Sequence, residues 1–217
     1  MKKYGNEIKI RVLVVGNRKD EPYKEFAQKA LRDFRCGNEK IDDSIFNDLS
    51  DHKTVSYLFV DDETDKVFAY ASLACSEYVG LLEDDEPLFV EEDEEEGIGS
   101  QIINLAPSDG TTPHSEVKSA IEIKFFATDE DYHGLPFRED SSSEETLSMG
   151  IFSYIFEEIR WIAENYIGAE TVVLNAVPQA INFYKKCYMK LIDSAQMRMH
   201  QRENELSCIP MYRPIFS

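Results

Sequence analysis

"VVLNAVPQAINFYKKCYMKL", residues 172–191, reads as a strand, a short polar-faced helix and a second strand. Its aromatic pair, Phe183 and Tyr184, raises the question on which the reading turns. An aromatic ring so near a strand end can fill a core, and a phenol there can also deliver a proton.

Upstream, "TLSMGIFSYIFEEIRWIAENYIG" (146–168) carries Leu147, Ile151, Ile155, Ile159, Ile162 and Tyr166 at three- and four-residue steps. That spacing predicts a long amphipathic helix stopped at Gly168. Before it, "EVKSAIEIKFFATDEDYHG" (116–134) alternates, with Ala120, Glu122 and Lys124 on one side and Ile121, Ile123 and Phe125 on the other. This predicts a strand ending in a polar loop.

Nearer the start, "KIRVLVVG" (9–16) reads as a buried strand. "EPYKEFAQKALRDF" (21–34) reads as a helix with Tyr23, Phe26, Ala30 and Phe34 on one face. A shorter helix has Ile41, Ile45 and Leu49 at four-residue spacing. "VSYLFV" and "VFAYASLAC" flank the turn "DDETDK" as a hairpin. Two final strands are expected around "KLIDSAQMRM" and "CIPMYRPIF". The order is β, α, α, β-hairpin, acidic insert, β, long α, β, α, β, β, in one α/β (α+β) domain over 1–217. A dinucleotide-binding doubly wound fold is rejected, because "VVGNRKDEP" supplies one glycine and a proline after the first strand.

The 217 residues hold 23 basic and 42 acidic side chains, a net charge of −19. Such a field repels phosphate backbones and attracts cations, so nucleic acid is an unlikely partner on this ground. No Lys or Arg occurs from Val67 to Val117, and residues 83–96 hold ten acids in fourteen positions. That run is expected to be a solvated insert at about 80–116. Cys36, Cys75, Cys187 and Cys208 form no CxxC pair and have no His at ligand spacing. Free thiols in a reducing cytoplasm are expected, with neither disulfides nor a metal. No secretory signal and no membrane-spanning run is read.

The strand–helix–strand order closing on Ala180, Phe183 and Tyr184 resembles the GNAT superfamily of acetyl-CoA-dependent N-acetyltransferases, over most of the chain and most strongly over 118–191. The resemblance implies a mixed, splayed central sheet with acetyl-CoA wedged between strands 119–127 and 171–176. It implies transfer of acetyl to a primary amine, with a cationic acceptor favoured by the anionic surface. Three features depart from the family. The phosphate loop, normally Arg/Gln-x-x-Gly-x-Gly/Ala, is here Glu145-Thr-Leu-Ser148-Met-Gly150. The preceding loop is long. Cys187-Tyr188 replaces the common Gly-Phe, and Val177 a frequent Asn. A second glycine stretch, "EGIGSQIINL" (96–105), follows an acid run and lies upstream of the strand that should precede it, so it is set aside.

Carried over residue by residue, the resemblance makes Tyr184 the acid that protonates the leaving thiolate; the alternative is a packing aromatic. Phe126 and Ala127 would offer backbone groups to the acetyl and pantetheine; the alternative is ordinary ladder pairing. Leu147, Ser148, Met149, Gly150 and Ile151 would receive the pyrophosphate at a helix N-terminus. His133 and Arg138 could assist there, or simply be solvated. Glu122 is the candidate base, directly or through water, or else a solvent-facing residue of an alternating strand. Cys208 is expected to be buried packing. Two rivals stand beside the acetyltransferase: a GNAT toxin acetylating aminoacyl-tRNA, against which the charge counts, and an idle GNAT-like module binding acyl-CoA or a protein.

Overall fold

The computed structural model of the chain describes residues 9–16, 23–51, 53–81, 115–137, 145–192 and 208–216. The acidic run 83–96, the "EGIGSQIINL" stretch and Arg138 lie outside them.

Among the described residues, seven strands form one mixed sheet in the order β1-β2-β3-β4-β5-β7-β6. These are β1 (Ile10–Val15), β2 (Thr54–Asp61), β3 (Val67–Leu81), β4 (Ser115–Thr128), β5 (Thr171–Ala176), β6 (Lys190–Leu191) and β7 (Ile209–Pro214). All neighbours are antiparallel except β4 and β5. A parallel pair needs a crossover, and α3 (Leu147–Ile162) supplies it. The β3–β4 ladder runs out to Leu81↔Ser115, so residues 80, 81, 115 and 116 belong to strands rather than to the insert.

One face of the sheet is covered by α1 (Lys24–Ala30) and α2 (Glu39–Asp48). Leu13, Val15, Leu58 and Val60 meet Ala27, Leu31, Phe34, Ile45 and Leu49 there. The buried stripe of α1 is therefore Ala27–Leu31–Phe34, not the expected line through Tyr23, which lies exposed at the N-cap. The expected α2 spacing holds: Ile45 and Leu49 are buried, Ile41 partly so. Asn38 caps α2 by accepting from Ile41 N.

The other face is covered by α3 and α4 (Ile181–Lys186). Leu147, Ile151, Ile155 and Ile159 of α3 are buried against Phe59, Ile121, Ile123 and Leu174. After Ile162 the helix widens into a π-turn, Ala163–Ile167, before Gly168 ends it in the left-handed region at φ 60°. Widening the turn changes the phase of the stripe, so Ala163 is buried and Tyr166 is exposed, contrary to expectation.

A β-bulge decides which side chains of β4 reach which face. Leu73 pairs with Ile123 and Ser72 with Phe125, leaving Lys124 as the extra residue. The alternation inverts there. Ile121 and Ile123 join the α3 layer, but Phe125 packs with the α1/α2 layer, and Phe126 takes the α3 side. The single alternation read from the sequence placed Phe125 with Ile121 and Ile123; one inserted residue reverses it.

Beyond the bulge the end of β4 is pinned by charge. Asp129 is buried and accepts from Arg35 N (3.2 Å), Asp131 N (3.2 Å) and Lys66 Nζ (2.8 Å). These bonds tie the α1–α2 turn and the β2–β3 turn to the loop that follows β4.

Candidate active site

The parallel strands separate where the bulge ends. β4 and β5 pair only from Ala120↔Thr171 to Ile123↔Leu174. β4 then continues to Thr128, held by β3, while Asn175 and Ala176 stay paired with β7. Each strand keeps its outer partner and loses its inner one, which opens a wedge. Phe126 and Ala127 are laddered to Ala71 and Tyr70 on one edge, and alternate residues of such a strand turn their N–H and C=O to the other edge, here into the wedge.

Aromatic rings stand around this wedge. Phe126 of β4 stacks on Phe183 of α4, ring centroids 5.7 Å apart and planes 12° from parallel. Phe152 of α3 sets its edge to both, at 5.2 and 5.9 Å. Tyr184 meets Phe152 at 5.6 Å and Phe183 at 5.1 Å, and is 7% exposed. Burial pushes the Tyr184 phenol up, with the nearby Cys187 and Cys208 thiols adding to it. The hydroxyl thus stays protonated through the neutral range, the state a proton donor needs.

Glu122 is 4% exposed, which removes the solvent-facing alternative. It lies opposite Ala74, which lies opposite Thr54, so all three share one face of the sheet. On that face Thr54 Oγ1 donates to Asp48 O (3.3 Å). Asp48 is itself buried at the end of α2, accepts from Tyr70 Oη (2.8 Å) and pairs with Lys124 Nζ (2.7 Å). Lys124 also pairs with Asp51 (2.7 Å), and Ser56 Oγ bonds Tyr70 Oη (2.8 Å). The two carboxylates raise the Lys124 pKa against the opposing effect of burial. The bulged residue of β4 is thereby clamped to α2, a network that hydrophobic periodicity does not reveal.

The start of α3 differs from the expected phosphate site. Leu147 N donates to Leu135 O (2.7 Å), Met149 N to Thr146 Oγ1 (3.4 Å) and Gly150 N to Thr146 O (3.0 Å). Phe137 N donates to Glu145 O (3.1 Å), and Pro136 bridges Thr146. Residues 135–137 therefore lie as a strap along the helix entrance. A Cβ on Gly150 would come within 2.2 Å of the Phe137 ring, so this glycine gives room to an aromatic ring of its own chain. Leu147 and Ile151 point into the core, and Ser148 Oγ meets Thr128 Oγ1 (3.1 Å). His133 does not reach out for a phosphate. Its Nε2 bonds the Thr128 carbonyl at the end of β4 (2.8 Å).

Charged side chains of both signs line the space between α3 and the end of α4. A pocket of about 500 Å³ is lined by Met149, Ser153, Phe156, Cys187 and Tyr188, with Lys186 and Arg213 as its cations and Glu145 and Glu157 as its carboxylates. The Arg213 guanidinium lies 3.7 Å from the centre of the Phe156 ring and donates to Cys187 O (3.1 Å). Helix α4 closes in a Schellman motif, with Met189 N donating to Tyr184 O and Tyr188 N to Lys185 O, both at 3.0 Å. Tyr188 takes the left-handed position at φ 64°, and Met189 is buried. The sequence reading put Cys187-Tyr188 in the places of the family's Gly-Phe; the left-handed position, which glycine favours, is held by Tyr188.

The sequence matches no protein family and no curated protein. Its fold does match solved structures. A "bacterial toxin" superposes with a TM-score of 0.61 at 14% identity, over 96% of this chain and 92% of that one. The toxin AtaT complexed with acetyl-methionyl-tRNAfMet gives 0.55 at 13% identity, over 95% of each chain. AtaTR bound with acetyl-CoA gives 0.54 at 13%, over 95% and 94%. The chain has the GNAT fold. The expectation that a net charge of −19 makes nucleic acid unlikely is corrected by the AtaT complex: a protein of this fold carries a tRNA. Net charge is a poor guide where acids cluster. Here residues 83–96 hold ten of them, whereas Lys185 and Lys186 close α4 and Arg213 donates to the Cys187 carbonyl at its end.

Proposed function

We propose that this protein is a cytoplasmic N-acetyltransferase that moves acetyl from acetyl-CoA to a primary amine. The observation that carries the proposal is the wedge between β4 and β5, with a free backbone edge on β4 and a buried phenol beside it. Acetyl-CoA would enter with its thioester in the wedge and the carbonyl on a backbone N–H of Phe126 or Ala127. The pyrophosphate would lie near Ser148–Gly150. Thr146 already accepts from the Met149 and Gly150 amides, so Lys186 and Arg213 in the adjoining pocket would supply the charge that the loop lacks.

In this scheme Glu122, directly or through water, takes the proton of the acceptor ammonium. The free amine attacks the thioester carbonyl, and the C–S bond breaks as the C–N bond is completed. Tyr184 gives its proton to the sulfur. The phenolate is restored by the second proton leaving the new amide nitrogen. The products are the acetylated amine, CoA thiol and one proton released to solvent. No metal takes part in the scheme.

The acceptor class follows from two observations that point to different amines. The acidic run 83–96 favours a cationic amine, whereas the fold neighbours and the lysines that close α4 favour the α-amine of an aminoacyl-tRNA. Labelled acetyl-CoA incubated with charged tRNA, and separately with polyamines and basic peptides, tests both. Acid-insoluble label that is removed by ribonuclease would establish the tRNA acceptor. Label on small amines alone would establish the other. Calorimetric binding of acetyl-CoA with no transfer to any of them would leave an acyl-CoA-binding module, and no binding at all would refute the proposal.

A further inference from the structure

The stack of Phe126 on Phe183 crosses the wedge. One ring comes from β4 and the other from the helix that follows β5, so the pair joins the two walls that the strands leave apart. Phe152, 1% exposed, stands perpendicular to both and blocks retreat toward the core. Phe126 and Phe183 are themselves only half-buried, so the stack stays open to a group that enters the wedge.

We propose that Phe126 and Phe183 set the length of the acyl group that the wedge accepts, closing it behind two carbons. The inference rests on the acyl-CoA reading above and adds a specificity to it. Packed aromatic rings backed by a third ring cannot part without opening a void, and protein interiors resist such voids. A short acyl group fits beside the stack. A longer one must displace a ring, whereas a pocket that is merely apolar would favour added methylenes. One methylene of misfit in an apolar pocket is typically worth about 10-fold or more in discrimination.

Calorimetric titration of the full chain with acetyl-, butyryl- and hexanoyl-CoA, and with CoA itself, tests this without an acceptor. The wild type is expected to bind acetyl-CoA at least about 10-fold tighter than hexanoyl-CoA. In Phe183→Ala that ratio should fall to near one or invert, with affinity for acyl-free CoA unchanged. Phe183→Leu, which keeps more packing, should move in the same direction by less and serves if the alanine variant does not fold. A wild type without preference, or a Phe183 variant that keeps the wild-type ratio while binding CoA normally, would overturn the length filter and leave the acetyltransferase reading standing. A wild type that binds no CoA species would overturn both.

Discussion

The two helices that leave the splayed strands meet solvent in opposite ways. The start of α3 is closed by its own chain: Leu135, Thr146 and Phe137 take up the amides and the space over Gly150. The end of α4 is open and strained, with Tyr188 held at φ 64° and Arg213 stacked on Phe156 at the rim of a pocket. A helix N-terminus attracts anions only while its amides are unsatisfied, whereas a guanidinium keeps its charge and its donors. The contrast sets side-chain cations at the α4 end against a helix N-terminus at the α3 end whose Leu147, Met149 and Gly150 amides are already engaged. In the proposed scheme the phosphates are kept apart from the chemistry, which is assigned to Tyr184.

The largest expected effect tests that separation. Tyr184→Phe removes the proton and keeps the ring's contacts with Phe152 and Phe183, so kcat should fall by about 10²–10⁴ while acetyl-CoA affinity and Tm stay near wild type. Wild-type turnover, with chemistry shown to be rate-limiting, would return Tyr184 to the core. Next in size is Arg213→Ala. Loss of a charge-assisted contact to phosphate, worth about 1.5–3 kcal/mol, should weaken acetyl-CoA binding roughly 10- to 100-fold in calorimetry. The mirror test at the α3 end is a cycle on Gly150 and Phe137. Gly150→Ala should cost about 1–3 kcal/mol of stability by overpacking against the ring, less the helix propensity gained. In a Phe137→Ala background that cost should vanish in chemical denaturation. A Gly150→Ala variant that weakens acetyl-CoA binding even without the Phe137 ring would show instead that the glycine serves the cofactor.

Much of this architecture was legible because periodicity reports on cores. The apolar steps of 147–159 and the β-branched runs on either side gave the crossover that makes β4 and β5 parallel. What escaped were features that change phase without changing composition. The bulge at Lys124 inverts an alternation that looks regular in letters, although the adjacent Phe125-Phe126 pair could have signalled that both faces are apolar there. The π-turn turned Tyr166 outward in the same way. The strap was illegible for another reason: its bonds are made by backbone groups of Leu135, Phe137 and Leu147, which any residues could provide. The Asp48–Lys124 clamp joins residues far apart in sequence, and a buried acid at a helix end has no pattern of its own. The left-handed end of α4 was illegible because glycine, not tyrosine, marks such a position in a sequence, and Tyr188 holds it.

That tyrosine offers the smallest and most specific test of the contrast. A left-handed backbone costs a residue with a Cβ about 1–2 kcal/mol relative to the right-handed region, and glycine escapes the cost. Tyr188 is 76% exposed, so little packing opposes the exchange, and its ring centre lies 5.4 Å from the Arg213 guanidinium. Tyr188→Gly should therefore raise stability by roughly 0.5–1 kcal/mol in chemical denaturation, after the greater freedom that glycine gives the unfolded chain is subtracted. If the strain is tolerated because the ring lines the pocket and steadies Arg213, the same variant should bind acetyl-CoA a few-fold more weakly. Stability and affinity would then move in opposite directions, the mark of strain kept for a site. A variant that gains stability and binds as the wild type does would reduce Tyr188 to an incidental cap. One that loses stability would mean that the ring's contact with Arg213 outweighs its backbone cost.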